Sequence, residues 1–173
     1  EAGHCLGFMH NMAASAAYPT DSLRNVEFTA KYGTTPSIMD YARFNYVAQP
    51  EDKGVSLTPP FLGVYDKFLV KYAYTPLLDA ESSEAEKAIL ESWVDSHAGD
   101  PLYRYGRQQV LQRYDPSALE EDLGNDPVKS GEYGARNIRY IVEHLNEWIT
   151  NDMDPDGSLR QSRYEALAKQ YNR

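Results

Sequence analysis

The sequence predicts a mainly α-helical chain. Three observations lead there. Apolar side chains recur at three- and four-residue intervals in several stretches, capping and stopping residues bracket those stretches, and no stretch alternates apolar and polar residues as a half-buried strand would. There is no internal repeat, and the sheet expected of a complete α/β or α+β domain is missing from the pattern.

Taken in order, residues 1–12 start helical and are broken by Gly7. Asp21 or Ser22 is placed to cap a helix that runs to about Tyr32 and is stopped by Gly33. Residues 34–49 and 50–60 read as loops. From Phe61 the period is helical again, with Phe61, Tyr65, Phe68 and Tyr72 on one face, until Thr75 and Pro76 end it. Residues 81–94 form a helix with Ala85, Ala88, Ile89 and Trp93 inward, Ser82 or Ser83 as N-cap and a capping box from Ser83 to Glu86. Residues 97–128 mix short helices and loops. The clearest helix spans about residues 133–150, with Ile138, Ile141, Val142, Leu145, Trp148 and Ile149 as one stripe. A turn over residues 151–157 leads to a last helix, from Ser158 to about Tyr171, with Leu159, Tyr164, Leu167 and Tyr171 inward.

The 173 residues suffice for one domain, or one domain with a helical extension. A net charge of −9 with scattered Lys and Arg argues against nucleic acid and anionic membranes as partners. No apolar run is long enough to span a membrane. The single cysteine, Cys5, excludes an intrachain disulfide. Glu1 opens directly into a helical motif with no leader, which reads as the interior of a longer protein.

The chemistry concentrates at the start. Glu1, His4, Gly7 and His10 carry the spacing E-x-x-H-x-x-G-x-x-H. A histidine immediately before Glu1 would complete H-E-x-x-H-x-x-G-x-x-H, with two histidines one helical turn apart on one face. Gly7 lets the chain break and return His10 as a third nitrogen ligand. Three nitrogen ligands and one water are the catalytic zinc pattern, in which Glu1 accepts the proton of the attacking water. Met39 follows 29 positions after His10, within Ser37-Ile38-Met39-Asp40-Tyr41.

These two pieces together resemble the metzincin signature, an extended zinc motif followed by a methionine turn. The run SIMDYARFNYVAQP, with YDKFLVKYAYTPL downstream, is most similar to the bacterial Met-zincin group of zinc peptidases. The resemblance implies that residues 1–80 are the C-terminal half of a metzincin-like catalytic domain and residues 81–173 a helical extension. It implies His4 and His10 as zinc ligands and Glu1 as general base. Met39 becomes the apolar floor of the Met turn, and Tyr41 a residue that reaches the zinc and then stabilises the oxyanion. It further implies a protein or peptide substrate, an N-terminal remainder that completes the cleft, and a secreted or cell-envelope location. Residues 1–173 alone, lacking the first histidine, are expected to bind zinc weakly and to cleave nothing.

Two alternatives stand beside this reading: a non-catalytic helical module that binds a partner or a second copy of itself, and a degenerate pseudo-peptidase. Cys5 points about 100° away from His4 on a helix and is expected to be buried packing. Asn11 reads as a loop-bonding residue, and His97 and His144 as packing or surface. Asp152, Asp154, Asp156 and Gly157 imitate half of a calcium loop, but Arg163 stands where its bidentate Glu belongs, so a capped turn is expected.

Overall fold

The computed structural model describes residues 1–58, 61–150 and 154–172. Its helices are α1 (Ala2–Cys5), α2 (Val26–Tyr32), α3 (Val64–Tyr74), α4 (Ser83–Asp95), α5 (Pro127–Ile149) and α6 (Ser158–Tyr171). Three 3₁₀ turns, Ser15–Ala17, Thr20–Arg24 and Pro101–Tyr103, punctuate the loops. No strand occurs among the described residues, so the fold is mainly α as expected.

The helix boundaries follow their caps. The cap of α2 is Asn25, whose Oδ1 accepts from Phe28 N at 2.8 Å, and not Asp21 or Ser22. Those residues are drawn elsewhere: Thr20 N donates to Asn125 Oδ1 at 3.1 Å and Asp21 pairs with Lys129 at 2.6 Å, leaving Thr20–Arg24 as a 3₁₀ turn. Gly33 ends α2 with φ +69, as expected. Ser82 caps α4, while Ser83 bonds Glu84 and makes no capping box. Helix α5 starts earlier than residue 133, because Asp126 accepts from Lys129 N and Pro127 fits the first helical position. Gly131 and Gly134 conceal that start, being poor helix formers. Asp154 accepts from Leu159 N and Arg160 N, both at 3.0 Å, and so holds the start of α6. Residues 151–153, where the calcium-like pattern begins, lie outside the described residues.

Burial is narrower than the apolar stripes suggested. Helix α3 buries Tyr65 and Asp66 but leaves Phe61 and Tyr72 exposed. Helix α5 buries Ser130, Tyr133, Leu145 and Ile149, while Val142 and Trp148 stay exposed. Helix α6 packs on α5 without burying any residue, and Leu159, Tyr164 and Tyr171 are exposed. Helix α4 likewise buries none.

The main core lies elsewhere, between loops. Tyr18, Leu23, Val47, Leu123 and Tyr133 form one buried cluster, and Met12, Ala13 and Ala118 a second. Both clusters draw residues from the first 50 positions and from beyond position 115. Arg24 reinforces the first. It grips Asp52 through Nε (2.6 Å) and Nη2 (2.9 Å), and its guanidinium lies 4.8 Å from the Tyr133 ring centroid.

A buried carboxylate, Asp40, and a half-buried one, Asp122, both bond Ser15. Asp40 Oδ2 accepts from Ser15 N at 2.7 Å, and Ser15 Oγ donates to Asp122 Oδ1 at 2.9 Å. Asp40 Oδ1 is buried without a hydrogen-bond partner among the described residues. Burial pushes the Asp40 carboxyl up to about 7, and the neighbouring Asp122 adds to the rise. Burial raises Asp122 as well.

Two outcomes follow. Leu123→Ala, which empties a fully buried position, is expected to cost about 2–5 kcal/mol in urea unfolding; a loss below about 1 kcal/mol would show that this cluster is not the core. The Asp40 shift has a defined sign. Between an ordinary carboxylate pKa near 4 and about 7, the folded protein holds a proton that the unfolded chain releases. Stability from this group is therefore full below that window and is lost as pH rises through it, by up to about 1.4 kcal/mol per pH unit. Urea midpoints measured from pH 5 to 8 should fall with pH, and Asp40→Asn should flatten the slope; an unchanged slope in the variant rejects the assignment.

Candidate metal centre

The site is built on a one-turn helix and the loop that returns beneath it. Gly7, at φ +82, closes α1 in a left-handed conformation. Phe8 N donates back to Gly3 O at 3.0 Å and Gly7 N to His4 O at 2.9 Å. This pair of bonds is a Schellman cap, which needs that φ and hence a residue without Cβ. The cap reverses the chain so that Phe8 O accepts from His4 Nδ1 at 2.9 Å. From α3, Tyr74 Oη donates to Leu6 O at 2.8 Å and fixes the same turn.

The reversal brings His10 back to His4. Their Nε2 atoms stand 3.2 Å apart. His10 Nδ1 donates to Met39 O at 2.9 Å. Both Nδ1 atoms thus face carbonyl oxygens, which only accept, so each Nδ1 carries a proton, and in the neutral form of either ring Nε2 presents its lone pair. Two lone pairs in contact are unfavourable unless a cation or a shared proton joins them. Tetrahedral zinc with Zn–N of about 2.0–2.1 Å sets its nitrogens about 3.3 Å apart. The observed separation fits that, and the carbonyl partners are the usual orienting contacts of metal-bound histidine.

Met39 lies under α1. Its sulfur fills the space that a Cβ on Gly3 would occupy, so the glycine is required by the close approach. The turn around Met39 is held by Asp66 in the first turn of α3. One carboxylate accepts from Ser37 Oγ (2.7 Å), Ile38 N (3.0 Å) and Gly63 N (2.8 Å). Tyr41 follows with its ring centroid 4.2 Å from that of His10 and 46% of its surface exposed.

The structure therefore brings four of the five sequence-derived residues into one neighbourhood: His4, His10, Met39 and Tyr41. Glu1 sits exposed at the start of α1 and does not cap it. No group of three or more His, Cys, Asp or Glu side chains converges among the described residues, so the two histidines are a partial ligand set. Cys5 is exposed rather than buried, because it lies two residues, about 200° of helix, round from Gly3, which occupies the packed side of α1 against Met39. His97 stacks on Tyr103 (3.6 Å), and His144 stacks on Trp148 and packs at a tilt against Tyr140. The supporting role of Asp66 went unread in the sequence. A buried carboxylate 27 positions past Met39 carries no local signal, although an Asp three residues into a helix opened by Gly63 is a sequence hint of N-terminal bonding.

No curated protein and no solved structure matches the chain. A family model described as Met-zincin matches it over residues 1–173. The match makes this a metallopeptidase-like domain of a family that uses zinc, and the chain belongs to the Met-zincin family.

Proposed function

We propose that the protein hydrolyses peptide bonds at a zinc centre held by His4, His10 and a histidine immediately before Glu1. The observation that carries this reading is the facing pair of Nε2 atoms, with both Nδ1 atoms committed to carbonyls. When bound, zinc supplies an acidified water and polarises the scissile carbonyl. Glu1 accepts the proton of the attacking water on its carboxylate and delivers it to the leaving amine as the C–N bond breaks. The Tyr41 hydroxyl donates a hydrogen bond to the oxyanion that develops on the carbonyl. Met39 closes the floor of the site and excludes water from beneath the imidazoles.

Residues 1–80 form the catalytic part in this reading and residues 81–173 a helical extension. The substrate is a protein or peptide, and the protein works in the cell envelope or outside the cell. No described helix is long and apolar enough to cross a membrane. A second reading, a helical module that binds a partner or another copy of the chain, is supported by the groove between α5 and α6. Ile138, Val142, Leu167 and Tyr171 line it, and Val142 and Tyr171 are exposed.

Metal analysis separates the readings. Residues 1–173 alone, with two converging histidines, should retain little zinc. The protein that includes the upstream sequence should hold about one zinc per chain, and His10→Ala should remove it. Glu1→Gln should keep the zinc and lower peptide cleavage by roughly 10²–10⁴-fold. If the longer protein, purified without chelators, contains no zinc, the peptidase reading fails and the interaction module takes its place.

A further inference from the structure

We propose that Asn11 is a positioning residue for the metal centre, and that residues 104–106 form a strap through which it acts. This rests on the zinc reading of His4 and His10. Asn11 directly follows His10 and is fully buried. Its side-chain amide pairs with the strap as a strand would: Nδ2 donates to Arg104 O at 2.9 Å, and Oδ1 accepts from Gly106 N at 2.9 Å. Oδ1 also accepts from Ala13 N at 3.3 Å, and Met12 N donates to Gly106 O at 2.7 Å. A Cβ on Gly106 would come within 2.7 Å of the Cβ atoms of Ala13 and Ala118, so the strap is in direct contact with the segment it supports.

On its other side, the same segment meets the methionine turn. Asn11 N donates to Met39 O at 3.0 Å, and His10 Nδ1 donates to that same oxygen at 2.9 Å. The peptide joining His10 to Asn11 is therefore clamped, with the Met39 carbonyl in front and the strap behind. The clamp fixes two things at once: which His10 nitrogen carries the proton, and where Nε2 points. Asn11 does not reach the ligand position itself. It acts through His10. Part of the extension, more than 90 residues away in sequence, is in this account a structural member of the catalytic site.

The test uses two readouts on the protein that includes the upstream sequence. Long-range proton–nitrogen NMR of the metal-free form reports the His10 tautomer. Zinc competition against a chelator, with the visible spectrum of the cobalt(II) form, reports the ligand geometry. Asn11→Ala and Gly106→Ala, the second of which displaces the strap while keeping Asn11, should both turn a single Nδ1–H tautomer into a mixture. Both should weaken zinc affinity roughly 10–100-fold and alter the cobalt spectrum. Leu123→Ala, in the other core cluster, should lower stability and leave both readouts unchanged. The proposal is overturned if the folded Asn11 or Gly106 variant keeps the wild-type tautomer and zinc affinity, or if Leu123→Ala shifts them equally. If the unmodified protein takes no metal, the peptidase reading falls, and the role of Asn11 at His10 is still decided by the tautomer.

Discussion

The structure depends on one constraint: a long stretch of buried chain with little regular structure must still satisfy its backbone. Between Gly7 and Gly63 the described residues form two 3₁₀ turns and one seven-residue helix, yet much of the segment is buried. Buried N–H and C=O groups need partners, and where helices and sheets do not supply them, side chains must. Asn11, Ser15, Asn45, Gln49 and Asp66 do this here. Asn45 Nδ2, for example, donates to Leu23 O and Ser56 O, and Gln49 Nε2 to Val47 O and Tyr133 O. The fold is a set of loops stapled by buried amides and carboxylates, with helices attached around them.

That mode of construction suits a metal centre. Ligand side chains need fixed directions, and a rigid loop supplies them only if its backbone is bonded on both sides. The Met39 carbonyl and the Asp66 carboxylate do that work at the site. The first takes donors from His10 and Asn11, and the second gathers the turn onto α3. Asp40, between Met39 and Tyr41, points the opposite way, into the core, where it meets Ser15 and the field of Asp122. The turn thus presents the thioether beneath α1 and the Tyr41 ring beside His10, with a carboxyl group rooted behind them.

The outer helices are less committed. Helices α4 and α6 bury no residue, and of the four residues that α5 buries only Tyr133 belongs to the core clusters. Exposed apolar groups such as Val142, Trp148 and Tyr171 lie on these elements, and others such as Met9, Phe44 and Leu57 lie on the stapled loops.

The sequence by itself determined what local chemistry dictates. Gly7 and Gly33 marked helix ends because only glycine adopts their positive φ cheaply. The E-x-x-H-x-x-G-x-x-H spacing brought His4 and His10 together, because residues one helical turn and a glycine break apart are placed by short-range geometry. The mainly α character followed from a period that each segment carries within itself. Tertiary structure decided what depended on partners far along the chain. Asn25 replaced Asp21 and Ser22 as a cap because Thr20 and Asp21 were bound to residues 125 and 129. Apolar stripes on α5 and α6 stayed partly open because no further element covers them among the described residues, and a stripe shows only capacity for burial. Asn11 and Asp66 came to brace the segments that carry His10 and Met39 through contacts with residues 104–106 and 37–38. Nothing in a linear sequence specifies which distant carbonyl a buried amide will meet; that is fixed only when the chain closes on itself.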